Sequence, residues 1–415
     1  MKYLALNIFF LVIVYMKVNG QCWELVFEDS LLRTPADIHF IDENHGWVVG
    51  WNALFVKTSD GGNTWENVPH PLHYLPTNSH RALFHVYFLD TLTGWAIQDE
   101  RNIFRTEDGG QSWEEIIINT PDAFAWSVPG LQFINSDTGW IATHERGFYQ
   151  TVDGGDTWQY NTELGLIHEI LAMQFISGEK GWLLGRPNDP NAASTMVKYL
   201  LHTADGGQTW QEQLNANASR QLGRWMFFLN DSLGWLVGYS SGLPALYMTT
   251  DGGQSWDSTL NFPANSIRWV QFVDDSTGWL SIPSASNPGM LYSSDGGLGW
   301  QQQQINFPPF DYMGKLAMLN DTIGFGLSTV TAKVYRYRAR PPACGPALLL
   351  PADSSLGRLP ELRWSRAEGC FEGYYLQVGA TPGGQEVLPR TDVGLDTFYQ
   401  TTQPLPAGAQ LYVTV

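Results

Sequence analysis

Apolar and polar residues alternate in short runs along most of the chain, which is the period of β-strands. The clearest runs end in phenylalanine and are followed, six residues after it, by a glycine and an aromatic residue. In the last copy Met318 stands in place of the phenylalanine and Phe325 in place of the tryptophan. Seven copies in one register predict seven structural repeats. Their glycines are Gly46, Gly94, Gly139, Gly181, Gly234, Gly278 and Gly324.

A second pattern, Thr-x-Asp-Gly-Gly-x-Ser/Thr-Trp, follows each of the first six units, and its last copy reads SSDGGLGW. Its aspartate can accept hydrogen bonds from backbone N–H groups of a hairpin turn, and its glycines allow positive φ. The final tryptophan offers a large apolar face for packing. We therefore expect a structural role, rather than metal binding or catalysis, for Asp60, Asp108, Asp153, Asp205, Asp251 and Asp295.

Each unit is expected to contain four strands and about 45 residues, which is typical of a propeller blade. The seventh unit lacks both the box and the fourth strand. At the other end of the chain, Cys22-Trp23-Glu24-Leu25 resembles the strands that begin at Trp65 and Trp113. We expect this N-terminal strand to complete the last blade. The predicted fold is all-β: a seven-bladed β-propeller of four-stranded blades over residues 21–340, followed by a partial β-sandwich.

The repeated box resembles the Asp box, or BNR repeat, of sialidases and sortilin-type receptors. The fuller unit, Phe-x5-Gly-Trp followed by an Asp box, is most similar to the propeller of the photosystem II assembly/stability factor family. That resemblance covers residues 21–340. It implies a protein that binds assembling subunits and catalyses nothing, although the shared residues are those of the scaffold.

The sequence pattern changes after Arg340, where the Asp-box repeats end. Four strand-like runs follow, and together they resemble a fibronectin type III-like sandwich with Trp364 as its core tryptophan. The run GYYLQVGATPGG is similar to modules of secreted bacterial proteins that use type IX secretion. Residues 341–415 are expected to form this module, truncated before its final strand.

The first twenty residues have the layout of a secretory signal peptide. Lys2 is followed by the apolar run 4–15 and by small residues before Gln21. The run is too short to make a good membrane span, and no later stretch approaches eighteen apolar residues. The mature protein is therefore expected to be secreted or cell-surface, with no transmembrane segment.

Charge narrows the range of partners. The chain carries a net charge of −18, and loss of Lys2 and Lys17 with the signal peptide would make it −20. An acidic surface repels phosphate backbones, so a nucleic acid partner is not expected. Three cysteines do not make a disulfide scaffold. Cys344 can pair with Cys370 in an oxidising compartment, or with a residue beyond Val415.

Candidate binding residues lie where the first strand of each unit begins. Register alignment places Arg224-Trp225 and Arg268-Trp269 at equivalent positions of neighbouring units. Guanidinium groups beside aromatic rings can anchor a carboxylate or an acidic peptide. Alternatively, the tryptophans pack between blades and the arginines only cap the strand ends. Corresponding loops add Arg81, His85, Trp126 and His168, and the fourth unit carries a long insertion within residues 185–199.

These observations favour a non-enzymatic binding scaffold with a protein or glycan partner outside the cell, and no cofactor or metal site. One alternative is a secreted glycoside hydrolase of the sialidase type, but the usual N-terminal arginine tripeptide is absent. The sequence also contains no HExxH, GxSxG or Walker motif. Another alternative is a passive repeat module of a larger adhesin.

Overall fold

The computed structural model describes most of the propeller and several short segments on either side of it. The propeller residues described are 21–31, 33–71, 82–98, 102–117, 130–143, 147–161, 164, 167–187, 199–215, 220–240, 243–259, 266–283, 289–303, 305, 311–328 and 333–339. The others are 11–12, 15–16, 348–349, 361–364, 374–379, 388–394, 398–400 and 412–414. The chain divides into two compact units, one of Trp23–Tyr337 and one of Met1–Cys22 with Arg338–Val415.

Seven antiparallel sheets of four strands form the propeller, which confirms the predicted architecture. We name the strands of each blade A to D from the inside outward. Blades 1 to 3 consist of Pro35–Phe40, Gly46–Gly50, Phe55–Thr58 and Glu66–Asn67; of His85–Phe88, Gly94–Ile97, Asn102–Thr106 and Glu114–Ile117; and of Gly130–Phe133, Gly139–Ala142, Phe148–Thr151 and Gln159–Tyr160.

Blades 4 to 6 follow the same order. They consist of Ile167–Phe175, Gly181–Pro187, Tyr199–Thr203 and Gln211–Asn215; of Arg220–Phe228, Gly234–Ser240, Leu243–Thr249 and Asp257–Thr259; and of Val270–Phe272, Gly278–Ile282, Gly289–Ser293 and Gln301–Gln303. Each D strand begins one residue after the box tryptophan, slightly later than the sequence predicts.

Blade 7 closes the ring with strands from both ends of the chain. Its A to C strands are Met313–Met318, Ile323–Ser328 and Lys333–Ala339, and its D strand is Gln21–Glu28. The predicted N-terminal closure is therefore confirmed. Arg336 fixes the seam, because its Nε donates to Glu24 at 2.5 Å and its Nη1 donates to the carbonyl of Gly61 at 2.7 Å.

The Phe-x5-Gly-Trp unit packs each blade against its neighbour. The ring of Phe133 in blade 3 stacks on Trp95 of blade 2, with centroids 3.7 Å apart, and meets its own box tryptophan, Trp158, edge-on. A Cβ on Gly139 would lie 2.5 Å from Cδ1 of that phenylalanine, so only glycine fits beneath the ring. At the seam the same stack joins Phe325 to Phe40, with centroids 3.5 Å apart.

Each Asp box is a closed hydrogen-bonded turn at the C–D connection. In blade 4, Thr203 Oγ1 donates to Asp205 Oδ1 at 2.7 Å and accepts from the N–H of Gly207 at 2.8 Å. The Asp205 carboxylate also accepts from the backbone N–H and the hydroxyl of Thr209, at 2.9 and 2.6 Å. Gly206 and Gly207 have φ of 77° and 96°. Both oxygens of the Asp205 carboxylate are therefore hydrogen-bonded within its own turn.

A belt of side chains ties the A strands together one residue before their last aromatic. Gln174 Nε2 donates to the carbonyl of Phe228 at 2.7 Å, and its Oε1 accepts from the N–H of the same residue at 2.8 Å. Gln132 and Gln271 make the same pair of bonds to the next blade. This side-chain bridge links blades in the way that a ladder links strands.

The second unit contains two small sheets. One joins Leu11–Val12, Tyr412–Thr414, Tyr374–Gly379 and Tyr15–Met16, with Leu388–Gly394 also paired to Tyr374–Gly379. The other joins Leu348–Leu349, Glu361–Trp364 and Phe398–Gln400. The fibronectin type III-like sandwich and the signal peptide stay predictions. Cys344 and Cys370 lie outside the described residues, as does the side chain of Trp364.

Within the part of the chain that the structure describes, no helix has the length and apolar character needed to cross a bilayer.

Candidate functional site

The two ends of the propeller differ in what they present. At one end, which we name the start face, the A strands begin, and Pro35 of blade 1 pairs with Gly50 at the end of strand B. At the other end, the box face, the A–B turns meet the Asp boxes, as in the bond from the N–H of Gly61 to the carbonyl of Asn44 at 2.9 Å. The candidate residues with described side chains belong to the start face.

Two of the candidate tryptophans are in direct contact. The rings of Trp225 in blade 5 and Trp269 in blade 6 have centroids 3.9 Å apart and an interplanar angle of 50°. Both side chains are only partly buried. Lys315 of blade 7 extends the contact, because its Nζ lies 5.8 Å from the Trp269 ring centroid, within cation–π range. An ammonium group and two indole rings therefore adjoin across three blades.

Lys315 also pairs with a buried carboxylate across the seam. Asp37 of blade 1 is 2% exposed and accepts from Lys315 Nζ, from His85 Nδ1 at 3.0 Å and from the N–H of Val86 at 3.2 Å. Burial alone would raise the pKa of Asp37, but the charge of Lys315 and the hydrogen bond from His85 outweigh it and hold that pKa well below its usual value. Blades 7, 1 and 2 are thus joined by an ion pair and hydrogen bonds at one buried carboxylate.

These residues share one register. They stand three residues before the last Phe or Met of their A strands, and we call them the start-face row: Asp37, His85, Trp225, Trp269 and Lys315. The equivalent positions in blades 3 and 4 are Gly130 and Ala172, whose small size interrupts the row.

The arginines flank the row, one position earlier. Arg268 is exposed, donates to the hydroxyl of Tyr312 and lies 5.7 Å from the centroid of that ring. Arg224 is exposed as well, and among the described residues it has no hydrogen-bond or ion-pair partner. The exposed guanidinium of Arg224, one residue before Trp225, retains its donor capacity for a ligand.

Blade 4 contributes a separate ion pair near the same end. Glu169 Oε2 accepts from Arg186 Nη1 at 2.5 Å across a bulged part of its A and B strands. The long insertion of this blade lies largely outside the described residues, at 188–198.

The sequence-based candidates fall into three groups. The structure brings Trp225, Trp269 and His85 into one row and places Arg224 and Arg268 beside it. It gives His168 a strand backbone only. Arg81 and Trp126 lie outside the described residues.

Sequence reasoning missed Asp37, Lys315 and Tyr312. The signal for the first two was available, since both occupy the register position of the tryptophans that it did select. A charged residue inside an otherwise apolar strand is costly to bury unless a partner lies opposite. By this rule, Asp37 and Lys315 are both candidates for a charge pair with a residue on another strand.

The described residues include no group of three or more His, Cys, Asp or Glu side chains placed to hold a metal ion. The box carboxylates at the other end are already engaged in their own turns, and hydrogen bonds from Thr157 hold the pKa of Asp153 at about 2.

Comparison with known proteins supports the propeller assignment. The family model described as photosynthesis system II assembly factor YCF48 matches residues 16–121, 70–159 and 126–218. A photosystem II assembly lipoprotein Ycf48 of Prochlorococcus marinus is 51% identical over 43 residues, which are 10% of this chain and 12% of that protein. The aligned segment thus spans only about an eighth of that relative's length.

Solved structures agree in fold. The structure of YCF48 bound to a D1 peptide superposes with a TM-score of 0.61 at 24% identity, covering 79% of this chain and 99% of that one. A GH74 xyloglucanase from Xanthomonas campestris gives a TM-score of 0.56 at 13% identity, over 94% of this chain and 70% of its own. At such identities the likeness is one of fold. In its repeat sequence and its seven-bladed propeller, the chain is similar to the Ycf48 photosystem II assembly factors.

Proposed function

We propose that this protein is a non-enzymatic binding scaffold that holds a segment of a protein partner on its start face. The observation that carries the proposal is the exposed Arg224, which has no hydrogen-bond or ion-pair partner among the described residues and directly precedes Trp225 of the Trp225–Trp269 pair. Tryptophan and arginine are the residues that most often dominate the binding energy of protein interfaces. A rigid ring of blades presents them without a folding cost at the moment of binding.

The positive charges in and next to the start-face row indicate the chemistry of the partner. The protein as a whole is acidic, with a net charge of −18, yet Arg224, Arg268 and Lys315 lie in or next to the A strands of three consecutive blades, 5, 6 and 7. Lys315 is engaged by Asp37, so the arginines are the groups available to an acidic side chain or a carboxylate. We therefore propose an acidic polypeptide segment with neighbouring apolar residues.

Two further observations support a protein partner. The similar proteins are described as assembly factors, and one of the similar propellers holds a peptide. A location outside the cytoplasm is part of the proposal and rests on the signal-peptide pattern of residues 1–20.

The test is a selection of phage-displayed random peptides on the immobilised full chain. Wild type is compared with the double variant Arg224→Ala/Arg268→Ala and with Lys180→Ala, which removes a cation from the box face whose ion pair to Asp231 is exposed. Wild type and Lys180→Ala should enrich the same acidic peptides. The double variant should bind them about 30-fold more weakly, which corresponds to a hot-spot loss of ~2 kcal/mol.

If the folded double variant binds the selected peptides as tightly as wild type, the arginines are not the anchor. A panel of fluorogenic glycosides, sialosides included, serves as the second arm. We expect no turnover, and measurable hydrolysis by wild type would replace the scaffold proposal with an enzymatic one.

A further inference from the structure

Trp51 is presented to solvent in an unusual way. Among the large apolar side chains that the described part of the chain exposes, it is the one aromatic, with 40% of its surface accessible. It stands at the start of the B–C hairpin turn of blade 1, on the start face, and its ring meets Phe84 of blade 2 edge-on at 5.3 Å. Single exposed apolar side chains are common on protein surfaces, so the position of Trp51 is informative only together with the turn that holds it and the residues around it.

The turn that carries Trp51 is strained. Asn52 and Ala53 both have positive φ, at 56° and 60°, as in a type I′ hairpin turn, and the N–H of Leu54 donates to the carbonyl of Trp51 at 3.2 Å. Asparagine tolerates this conformation, but alanine carries a Cβ that disfavours it. Glycine would adopt it freely. Backbone strain of this kind concentrates at functional positions.

A partly buried ion pair braces the turn. Arg33 donates from Nη1 to the carbonyl of Ala53 at 3.1 Å, and from Nε and Nη2 to the Asp29 carboxylate at 3.0 and 2.8 Å. The same brace fixes the connection that carries Leu31, which is 72% exposed. Two exposed apolar side chains, Leu31 and Trp51, are therefore held on two turns tied by one arginine.

The turn that carries Trp51 is linked to the start-face row. Phe84, against which the Trp51 ring packs, directly precedes His85 of the row. The N–H of Trp51 donates to the carbonyl of Thr34 at 2.8 Å, immediately before the strand that carries Asp37. The connection thus runs from Trp51 to Phe84 and its chain neighbour His85, and from there through Asp37 and Lys315 to the tryptophan pair.

We propose that Leu31 and Trp51 form a second anchor for the same polypeptide, taking one of its apolar side chains while the arginines take its acidic residues. This inference rests on the proposed function. It assigns a partner segment that crosses blades 2, 1, 7, 6 and 5 and carries an aliphatic or aromatic residue at one end and acidic residues at the other.

The experiment repeats the peptide selection on full-chain Trp51→Ala, with Leu92→Ala as the control. Leu92 is 56% exposed and lies on the box face, where its own carbonyl accepts from the N–H of Gly109 at 2.9 Å. Peptides selected on wild type should carry an apolar residue at a constant separation from their acidic residues. Trp51→Ala should keep the acidic preference, lose the apolar one and bind the wild-type peptides about tenfold more weakly.

The outcomes separate the two proposals. Equal binding by Trp51→Ala and wild type, with loss in Arg224→Ala/Arg268→Ala, overturns the second anchor alone. Selected peptides without any acidic preference, or no enrichment on wild type, overturn both. Thermal unfolding of each variant shows that it is folded, and because Trp51→Ala loses only the edge-on contact with Phe84, worth about 0.5–1.5 kcal/mol, we expect a small fall in the midpoint.

Discussion

At the residue scale, the repeat is explained by a three-part contact between neighbouring blades. Phe133 occupies the space above Gly139, stacks on Trp95 of the preceding blade and meets its own box tryptophan edge-on. Each of the three residue types is required by the other two. The sequence spacing that identifies the fold is therefore the footprint of the interblade core.

Replacing Gly139 with alanine should destabilise the protein by about 1–3 kcal/mol, because the new Cβ would overlap the Phe133 ring in a packed core. Gly178→Ala is the matched control, since its Cβ would meet only Ile134 Cδ1 at 3.4 Å, an ordinary contact. Urea denaturation followed by tryptophan fluorescence measures the difference. Equal midpoints for the two variants would contradict this account of the glycine.

The first threonine of the Asp box is expected to contribute more to stability than the hydroxyl residue near the end of the box. Thr203→Val keeps the shape but leaves the buried N–H of Gly207 without its acceptor, a loss of about 1–3 kcal/mol. Thr209→Val removes an exposed hydroxyl bond to Asp205 in the same box and should cost less. Denaturation midpoints give the order, and a larger loss for Thr209→Val would refute it.

At the element scale, one side of each A strand carries side chains with two different roles. The position before the last aromatic ties neighbouring blades together, as Gln174 does with Phe228, while the position three before it forms the start-face row. The two positions lie two residues apart and therefore on the same side of the strand. One set of side chains builds the ring and the other is available to a partner.

Gln174→Met should lower the free energy of unfolding by about 1–3 kcal/mol, because it preserves volume but leaves the N–H and carbonyl of Phe228 without partners between blades 4 and 5. Gln301→Met, on an exposed position of a D strand, is the control. Hydrogen exchange of the Phe228 amide is the sharpest probe. Unchanged protection in Gln174→Met would contradict the bridging role.

The strands were predictable because the Phe-x5-Gly-Trp unit and the Asp box mark the strand ends in each repeat. The start-face row was predictable only in part. The tryptophans and arginines stood out as residue types. Asp37 and Lys315 did not, because they are 278 positions apart in the sequence and meet only across the seam of the ring. Alternation gives the direction of a side chain and not its partner in another blade. The strained turn at Ala53 likewise has no signal, since alanine is not a residue of positive φ.

At the scale of the whole molecule, closure depends on a blade without an Asp box. Tyr337 of blade 7 stands where the other blades have the box Thr or Ser, and its ring lies against both Trp279 and Trp23, with centroids 5.2 and 5.3 Å apart. Trp23 in turn donates from Nε1 to Gln303 at 2.7 Å. Aromatic packing replaces the missing turn at the seam.

Trp23→Ala should therefore destabilise the propeller by about 3–5 kcal/mol, the usual cost of truncating a buried large aromatic. Leu25→Ala, on the same strand but 47% exposed, should have little effect. Thermal unfolding measures both. A similar small effect of the two changes would mean that the N-terminal strand does not hold the ring closed.

The Asp boxes also make stability depend on pH. The pKa of Asp153 is about 2 in the folded protein against an ordinary value of 3.8, so the unfolded chain binds more protons between these values. This contribution is present above about pH 4 and is lost as the pH falls through 2. Urea denaturation across this range should show falling stability, and Asp153→Asn should reduce the slope; an unchanged slope would contradict it.

The central claim concerns which face of the propeller binds the partner. Hydrogen–deuterium exchange of the full chain, with and without an acidic peptide from the selection, tests this most directly. We predict slower exchange in segments 82–86, 222–226, 266–270 and 311–316, with no change in the Asp-box turns. Protection confined to the box face, or none on the start face with the peptide bound, would contradict the central claim.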